Sequence, residues 1–581
     1  MKTAAYTDNY ILNSRVVGVF DRAGKNYGFV IPDNRKLGRD IFVSLEQALS
    51  AKDGQKVVCE ILRTGSEKRA PEGRIIELLG YMQDSGVDLL SVIKDYDLSE
   101  GFPEKAERQA GQLAESIPAE EYSRRRDLRE ELTVTIDGED AKDLDDAVSL
   151  KKQGDNYLLG VHIADVSHYV REDTALDREA LKRGTSVYLT GTVIPMLPKR
   201  LSNGLCSLNP REDKLTLSCL MTISPKGEVI DHEIVESVIR SDKRMTYNAV
   251  NALLAGKEVR GFSDFAAMLR EMRELSIILR EKRKQRGSID FDLPESKIIL
   301  NKRGKVVDIK PYERNDATRL IEEFMLIANE TVAEHYFWLK LPFVYRVHEE
   351  PDPDKMKGLA AFLKNLGYGL HLKGSEVHPK EIQKLLASCE NTGEESLIER
   401  LSLRSMQRAK YSTDCIGHFG LACRYYCHFT SPIRRYPDLQ IHRIIKEDLQ
   451  GRLSSERIES YEARLPEVCL KTSAMERLAD DAEREIERMK KAEYMSERIG
   501  EIYEGIVSSV TAWGLYVELP NTVEGLVHVS NMDDYYSFDE ERYELVGEIT
   551  GKRYSLGQKV RIRVNYVDIT MRTIDFILER S

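Results

Sequence analysis

The sequence predicts a multidomain α+β chain in which a central mixed α/β domain is flanked by two small all-β barrels. Three observations carry this. Short alternating segments of strand length, broken by turns, crowd residues 15–63 and return at 499–579. Between them the apolar period shifts from two to three or four, the mark of strands giving way to helices. The length of 581 residues suits about three or four domains, and 41% hydrophobic with 31% charged residues is ordinary for a globular protein. Residues 1–82 are assigned to the first barrel, 83–128 to a linker region, 129–495 to the central domain with its closing helix, and 496–581 to the second barrel.

Composition narrows the function. No apolar run reaches the length of a membrane span and the first ten residues lack a signal-peptide core, so a cytoplasmic location without membrane attachment is expected. A net charge of −11 argues against a protein that coats nucleic acid, yet leaves room for a basic channel inside an acidic shell. The eight cysteines are expected to be reduced thiols. Cys415, Cys423 and Cys427 with His418 and His428 supply thiol and imidazole, but their spacing matches no common zinc pattern, and packing is the preferred reading.

In chain order, Arg15–Phe20, Asp21–Gly24, Tyr27–Ile31, Ile41–Val43 and Val57–Ile61 form the first barrel. Lys25, Tyr27 and Phe29 share one face by period two, and with Phe42 they make an aromatic platform of the kind that stacks single-stranded bases. The competing reading puts these rings in the core. A charged helical stretch leads to a strand at 134–136, a buried strand at 157–164 and a helix at 173–183. The prolines and glycines of 183–210 make a loop-rich wall. Strands follow at 215–224 and 228–240, then a helix at 265–286 stopped by Gly287, whose basic end is either a lip for a polyanion or a solvated face. Ser288–Leu293 alternates like a strand presenting Phe291, and 315–339 is a strong helix with Glu322 and Glu323 beside its apolar face. Residues 351–410 are mostly helical. Pro432 and Pro437 bracket Arg434 and Arg435 near a helix start, where guanidinium forks suit phosphate oxygens. A long helix over 455–495 connects to the second barrel, where Trp513, Tyr516, His528, Tyr535 and Tyr536 gather and Lys559, Arg561 and Arg563 line one strand face.

The chemistry concentrates at residues 137–146. Asp137, Asp143, Asp145 and Asp146 repel one another beside an apolar strand unless a cation, a basic group or water offsets their charge, and hard oxygen ligands suit Mg²⁺. A solvated acidic turn is the bland alternative. It is weakened because Val134-Thr-Ile136 delivers Asp137 straight from a sheet.

This cluster, taken with Phe429-Thr-Ser-Pro-Ile-Arg-Arg-Tyr-Pro-Asp438, resembles the catalytic RNB domain of the ribonuclease II and ribonuclease R family over about residues 130–490. Val193–Pro198, Leu201–Leu208 and Arg314–Glu323 strengthen the likeness, and Ile433–Asp438 with Asp137-Gly-Glu-Asp140 follow the ribonuclease R branch. The first barrel resembles a cold-shock OB-fold through Gly28-Phe-Val30 and Ile41-Phe-Val43, and the second is similar to the S1 type. The resemblance implies a processive, hydrolytic 3′-to-5′ exoribonuclease that uses Mg²⁺ and releases nucleoside 5′-monophosphates. It further implies that Asp137, Asp143 and Asp146 hold metal, that Asp145 is the carboxylate most critical for cleavage, and that Arg434 contacts the scissile phosphate. Tyr188, Phe291 and Glu322 would grip the 3′-terminal nucleotide, and Tyr27, Phe29, Phe42, Trp513, Tyr516 and His528 would bind RNA. The expected partner is single-stranded or 3′-tailed RNA met by a monomer, with room for RNA-decay or ribosome-associated proteins. Family chains commonly carry a second cold-shock domain and a lysine-rich tail, so action on structured RNA is left open. The rival readings are a non-catalytic RNA-binding or chaperone protein, and a DNA nuclease or phosphatase using the same metals.

Overall fold

In the computed structural model, which describes residues 12, 14–34, 37–66, 69–82, 84, 86–291, 295–312, 314–374, 376–390, 392, 394–540 and 542–579, the N-terminal alternation closes into a barrel. Its strands are Arg15–Asp21, Tyr27–Pro32, Ile41–Ser44, Gln55–Arg63 and Glu72–Tyr81, paired in the order first, second, third, fifth, fourth. Period-two spacing turns Val16, Phe20, Val30, Ile41, Val43 and Ile61 inward as its core. Two expectations are corrected here. Asp21–Gly24 is a strand end and a turn, and the fifth strand is Glu72–Tyr81, whose charged Glu72, Arg74 and Glu77 hide its alternation. Tyr27, Phe29 and Phe42 lie outside that core, with the Tyr27 and Phe42 rings stacked at 5.7 Å between centroids. Residues 1–11, 580 and 581, read above as parts of the two barrels, lie outside the described residues.

The linker region folds into helices Val87–Asp95, Glu104–Gln112 and Ala119–Arg124. The central domain follows as a seven-stranded sheet, ordered Lys243–Thr246, Thr133–Asp137, Asp146–Gln153, Asn156–Ala164, Asp213–Ile223, Val229–Arg240 and Arg126–Asp127. Its ladders are antiparallel except at the two edges, where short strands join in parallel. Val134, Ile136, Val148, Val161 and Leu217 alternate onto one face and pack with Leu269, Met272, Leu320 and Phe324 of helices Ala266–Arg286 and Asp316–Leu339. Asn315 caps the second of these helices with a reciprocal Thr318 bond, and Gly287 ends the first at φ 106°. Emptying a buried aromatic site such as Phe324 by substitution with Ala should cost about 3–5 kcal/mol.

The strand expected over residues 288–293 is not seen in its described part. Among the described residues 288–291 no ladder forms. Ser288 and Asp290 are tied to Arg283, and Phe291 packs beside Ile289 in a helical subdomain, while Asp292 and Leu293 lie outside the described residues. At the basic end of the preceding helix, Arg283 and Arg286 turn inward onto Glu323 and Glu330, while Lys284 stays exposed.

A 42-residue helix, Ser455–Ser496, runs from the central domain into the second barrel, where Ala492 and Met495 join the core. That barrel comprises Ile502–Thr511, Gly514–Glu518, Glu524–His528, Lys559–Asp568 and Thr573–Leu578, with a separate three-stranded sheet over Tyr536–Ser555. Tyr536 packs on Tyr554 of that sheet, while Trp513 reaches the Tyr516 hydroxyl on the barrel. The two barrels meet. Arg572 of the second stands 3.8 Å from Asp33 of the first, and it also pairs with Glu485 of the long helix. Among the described residues, no helix is long and apolar enough to cross a membrane.

One polar seam crosses the central sheet. His162, fully buried, exchanges hydrogen bonds with Ser149 at 3.0 Å and Ser218 at 2.7 Å, in space left by Gly160, where a Cβ would sit 2.7 Å from the ring. Burial depresses His162 to about 4. Its folded-state value lies below the unfolded one, so the stability it confers is complete above about pH 6.5 and drains away as the pH falls towards 4. Between about pH 7.5 and about pH 5 this loss should be on the order of 2 kcal/mol, and His162→Gln should lack that component when both are unfolded in urea at the two pH values.

Candidate active site

The acidic residues sit where one internal strand of the sheet ends and its neighbour begins. The Thr133–Asp137 strand ends on Asp137, a loop carries Asp143 and Asp145, and Asp146 opens the next strand. The loop is clipped from two sides. Arg244, on the parallel edge strand, donates to the carbonyls of Gly138, Glu139 and Ala141 at 3.4, 2.9 and 2.6 Å. From the loop-rich wall, Ser207 accepts the Leu144 amide and bonds the Lys142 carbonyl.

The Phe429–Asp438 segment closes over this loop. Ile433 donates its amide to Asp145 Oδ1 at 2.8 Å, and Arg434 Nε stands 3.9 Å from Asp145 Oδ2. The two neighbouring arginines part company. Arg435 turns inward, bonding Asp438 at 2.7 and 3.2 Å, while Arg434 stays partly exposed with Nη2 on Ser431 Oγ. The Arg434 carbonyl accepts the Ser186 amide at 2.9 Å, and Tyr436 donates to the Gly184 carbonyl, so this segment also sets the start of the Val187–Leu189/Thr192–Ile194 hairpin. Tyr188 on that hairpin donates its hydroxyl to Asp143 at 3.0 Å and its amide to Glu483 at 2.8 Å.

Tyr188 and Phe291 line one cavity of about 2450 Å³, walled by the long helix, the helical subdomain and the second barrel. Tyr516 lines it as well. Glu322 is exposed on the Asp316–Leu339 helix, whereas its neighbour Glu323 is buried against Arg283. Tyr27, Phe29 and Phe42 form their platform on the first barrel, and His528 pairs across the ladder with Gly514, next to Trp513.

The electrostatics are those of an anionic site short of countercharge. Burial raises Asp137, Asp145 and Asp146. Asp146 and Asp143 add repulsion at Asp137, whereas Arg434 pulls Asp145 and Asp146 back down. Asp137 Oδ2 and Asp145 Oδ2 are buried without a hydrogen-bond partner among the described residues. No three His, Cys, Asp or Glu among the described residues converge into an ion cage. Open carboxylate oxygens without a cage fit Mg²⁺, which keeps several waters and takes one or two carboxylates together with substrate phosphate.

Sequence reasoning passed over three residues. Arg244 holds the acidic loop, Glu483 takes the Tyr188 amide, and Tyr247 lies close enough to Asp146 and Asp137 for their charges to raise its phenol further after burial. All three act across tertiary contacts, and only the basic–aromatic run Lys243-Arg-Met-Thr-Tyr247 carries a local signal. The cysteine and histidine group is engaged elsewhere. Cys427 Sγ bonds the Asn329 carbonyl, Cys415 Sγ the Arg424 carbonyl, and His428 the Tyr411 hydroxyl, while burial raises the thiols of Cys415, Cys423 and Cys427.

Comparison with known proteins agrees with this layout. Three family models match, the cold shock domain at residues 29–103, the RNB domain at 125–451 and the S1 RNA binding domain at 496–578. Ribonuclease R of Thermotoga maritima is 48% identical over 573 residues, covering 97% of this chain and 80% of that protein. Ribonuclease R 1 of Lactococcus lactis is 44% identical over 556 residues, covering 94% and 68%. Among solved structures, Mycoplasma genitalium RNase R in complex with ribose methylated single-stranded RNA superposes with a TM-score of 0.91 at 26% identity, covering 97% of this chain and 89% of that one.

Asp438 is the test of how the site is held. It is fully buried and accepts the Ser431 amide at 2.8 Å as well as the Arg435 guanidinium. Asp438→Ala leaves Arg435 charged and unpaired, and should cost about 3–5 kcal/mol in urea unfolding.

Proposed function

This chain belongs to the ribonuclease R family, and on that premise we propose that it is a processive 3′-to-5′ exoribonuclease that hydrolyses RNA to nucleoside 5′-monophosphates. The observation that carries the catalytic reading is the meeting of Asp145 and Arg434, an open carboxylate oxygen and a partly exposed guanidinium 3.9 Å apart at the acidic loop. A purely RNA-binding protein would need neither, since its barrels alone would suffice.

The residues divide the work. Asp145, fixed by the Ile433 amide, aims Oδ2 at the attacking water to orient it and take its proton, and Arg434 pulls the carboxyl, raised by burial, back down. Arg434 also neutralises charge that builds on the phosphate. Mg²⁺ bound through one or two of Asp137, Asp143 and Asp146, with water and the substrate phosphate completing its shell, would supply an activated water and stabilise the leaving 3′-oxygen. Tyr188 stacks on the terminal base with Phe291 opposite, gripping an end without reading sequence, and Glu322 meets the terminal sugar. The ribose 2′-hydroxyl is then the group that separates RNA from DNA.

Processivity is supported by the cavity, because one strand in it would touch the long helix and the second barrel while its end sits at Tyr188. The Tyr27, Phe29 and Phe42 platform, together with Trp513, Tyr516 and His528, offers stacking sites for the upstream strand. We take it to act as a monomer. We place it in the cytoplasm, where RNA-decay or ribosome-associated proteins would be its neighbours.

End-labelled single-stranded, 3′-tailed and blunt duplex RNAs incubated with Mg²⁺ test this reading by the sizes of their products. Mononucleotides should appear from the 3′ end, and Asp145→Asn should slow their release on the order of a thousandfold with RNA affinity held within about twofold. Equal rates for variant and parent would sink the catalytic assignment. Comparable digestion of DNA would contradict the substrate class.

A further inference from the structure

The end grip is anchored from outside the catalytic loops. In the Val187–Leu189/Thr192–Ile194 hairpin, Val187 and Leu189 point into a cluster with Ala479, Ala482, Ile486 and Met489 of the long helix. Tyr188 lies between them and points the other way, towards Asp143. A two-stranded hairpin leaves outward amides without ladder partners. The Tyr188 amide is taken instead by Glu483 Oε1 on the long helix at 2.8 Å. Tyr188 is therefore held twice, by its phenol on the acidic loop and by its main chain on the helix.

Glu483 is an unusual anchor. Burial raises its carboxyl, the Tyr188 amide and Arg434 lower it again, and Asp480 adds repulsion. An apolar side chain would pack here at less cost in desolvation. What the carboxylate adds is a directional acceptor at the height of Tyr188. Further along the same helix, Lys490 pairs with Asp88 of the linker region, and Ala492 and Met495 enter the second barrel's core.

We infer that Glu483 is a positioning residue for hydrolysis, fixing the height of Tyr188 over the terminal nucleotide by holding its main-chain amide to the long helix. This rests on Tyr188 being the 3′-end grip. In this role Glu483, which also lines the cavity, acts through the Tyr188 main chain and not on the reacting atoms. Its effect should fall on the rate of the chemical step and not on the strength of RNA binding.

The test uses the full chain with a saturating single-stranded RNA and Mg²⁺, following release of the 3′-terminal nucleotide in a single turnover. Glu483→Ala and Glu483→Met, which keeps the packing, should both slow release about tenfold with RNA affinity within about twofold. Glu483→Gln retains a carbonyl acceptor and should restore the rate. Glu483→Met combined with Tyr188→Ala should be no slower than Tyr188→Ala alone. Parental rates in Glu483→Met, additive losses in the double variant, or Glu483→Gln as slow as Glu483→Met would each overturn the inference while leaving the grip intact. A parental rate in Tyr188→Ala would overturn the grip itself, and this inference with it.

Discussion

A single hydrogen bond, from the Ile433 amide to the Asp145 carboxylate, joins residues 288 positions apart in the chain, and much of the molecule is arranged to make it. It brings the segment bearing Arg434 onto the acidic loop. From there the Arg434 carbonyl receives the Ser186 amide, which starts the hairpin of Tyr188, and the hairpin lies on the long helix. The acidic loop, Arg434 and Tyr188 thus share one backbone relay, and an error at its first step would displace all of them.

Elsewhere in the central domain, buried carboxylates meet several donors at once. Asp165 is bonded by Arg125, Lys446 and Ser167, and is held well below the usual carboxylate range despite burial. Asp177 takes both Tyr436 and Arg443. These clusters tie the linker region and the Tyr436–Leu449 helix to the central sheet, and breaking any one would strand a buried ion. Against that background the under-compensated aspartates at 137–146 mark a place where stability has been traded for chemistry.

How much of this could be read from residues alone differs by element. The apolar run of Asn156–Ala164 and the alternation of Gly514–Glu518 were legible as strands, as were helices with caps or glycine stops. Glu72–Tyr81 was not, because charged side chains occupy its solvent face and a glycine its core face. Ser288–Leu293 misled in the opposite sense. Its alternation is met by Arg283 capturing Ser288 and Asp290 while Ile289 is buried, with no partner strand among the described residues. At the site, the acidic cluster declared itself by charge density, and the two arginines by their prolines. The family resemblance singled out Arg434, and the Asp438 contact that turns Arg435 inward is seen only in three dimensions. Arg244, Tyr247 and Glu483 act across contacts of the same kind, and only the Lys243–Tyr247 run leaves a local trace.

The contact of Asp33 with Arg572 and Glu485 has a consequence for how the molecule comes into being. A chain is made from its first residue onward and domains fold as they emerge, so the N-terminal barrel is finished long before its partner exists. Until residue 572 arrives, the mouth of the cavity has one wall missing and the long helix has no second barrel to seat its end. A protein built to destroy RNA is itself translated from RNA. The order of synthesis makes its jaws the last part to close.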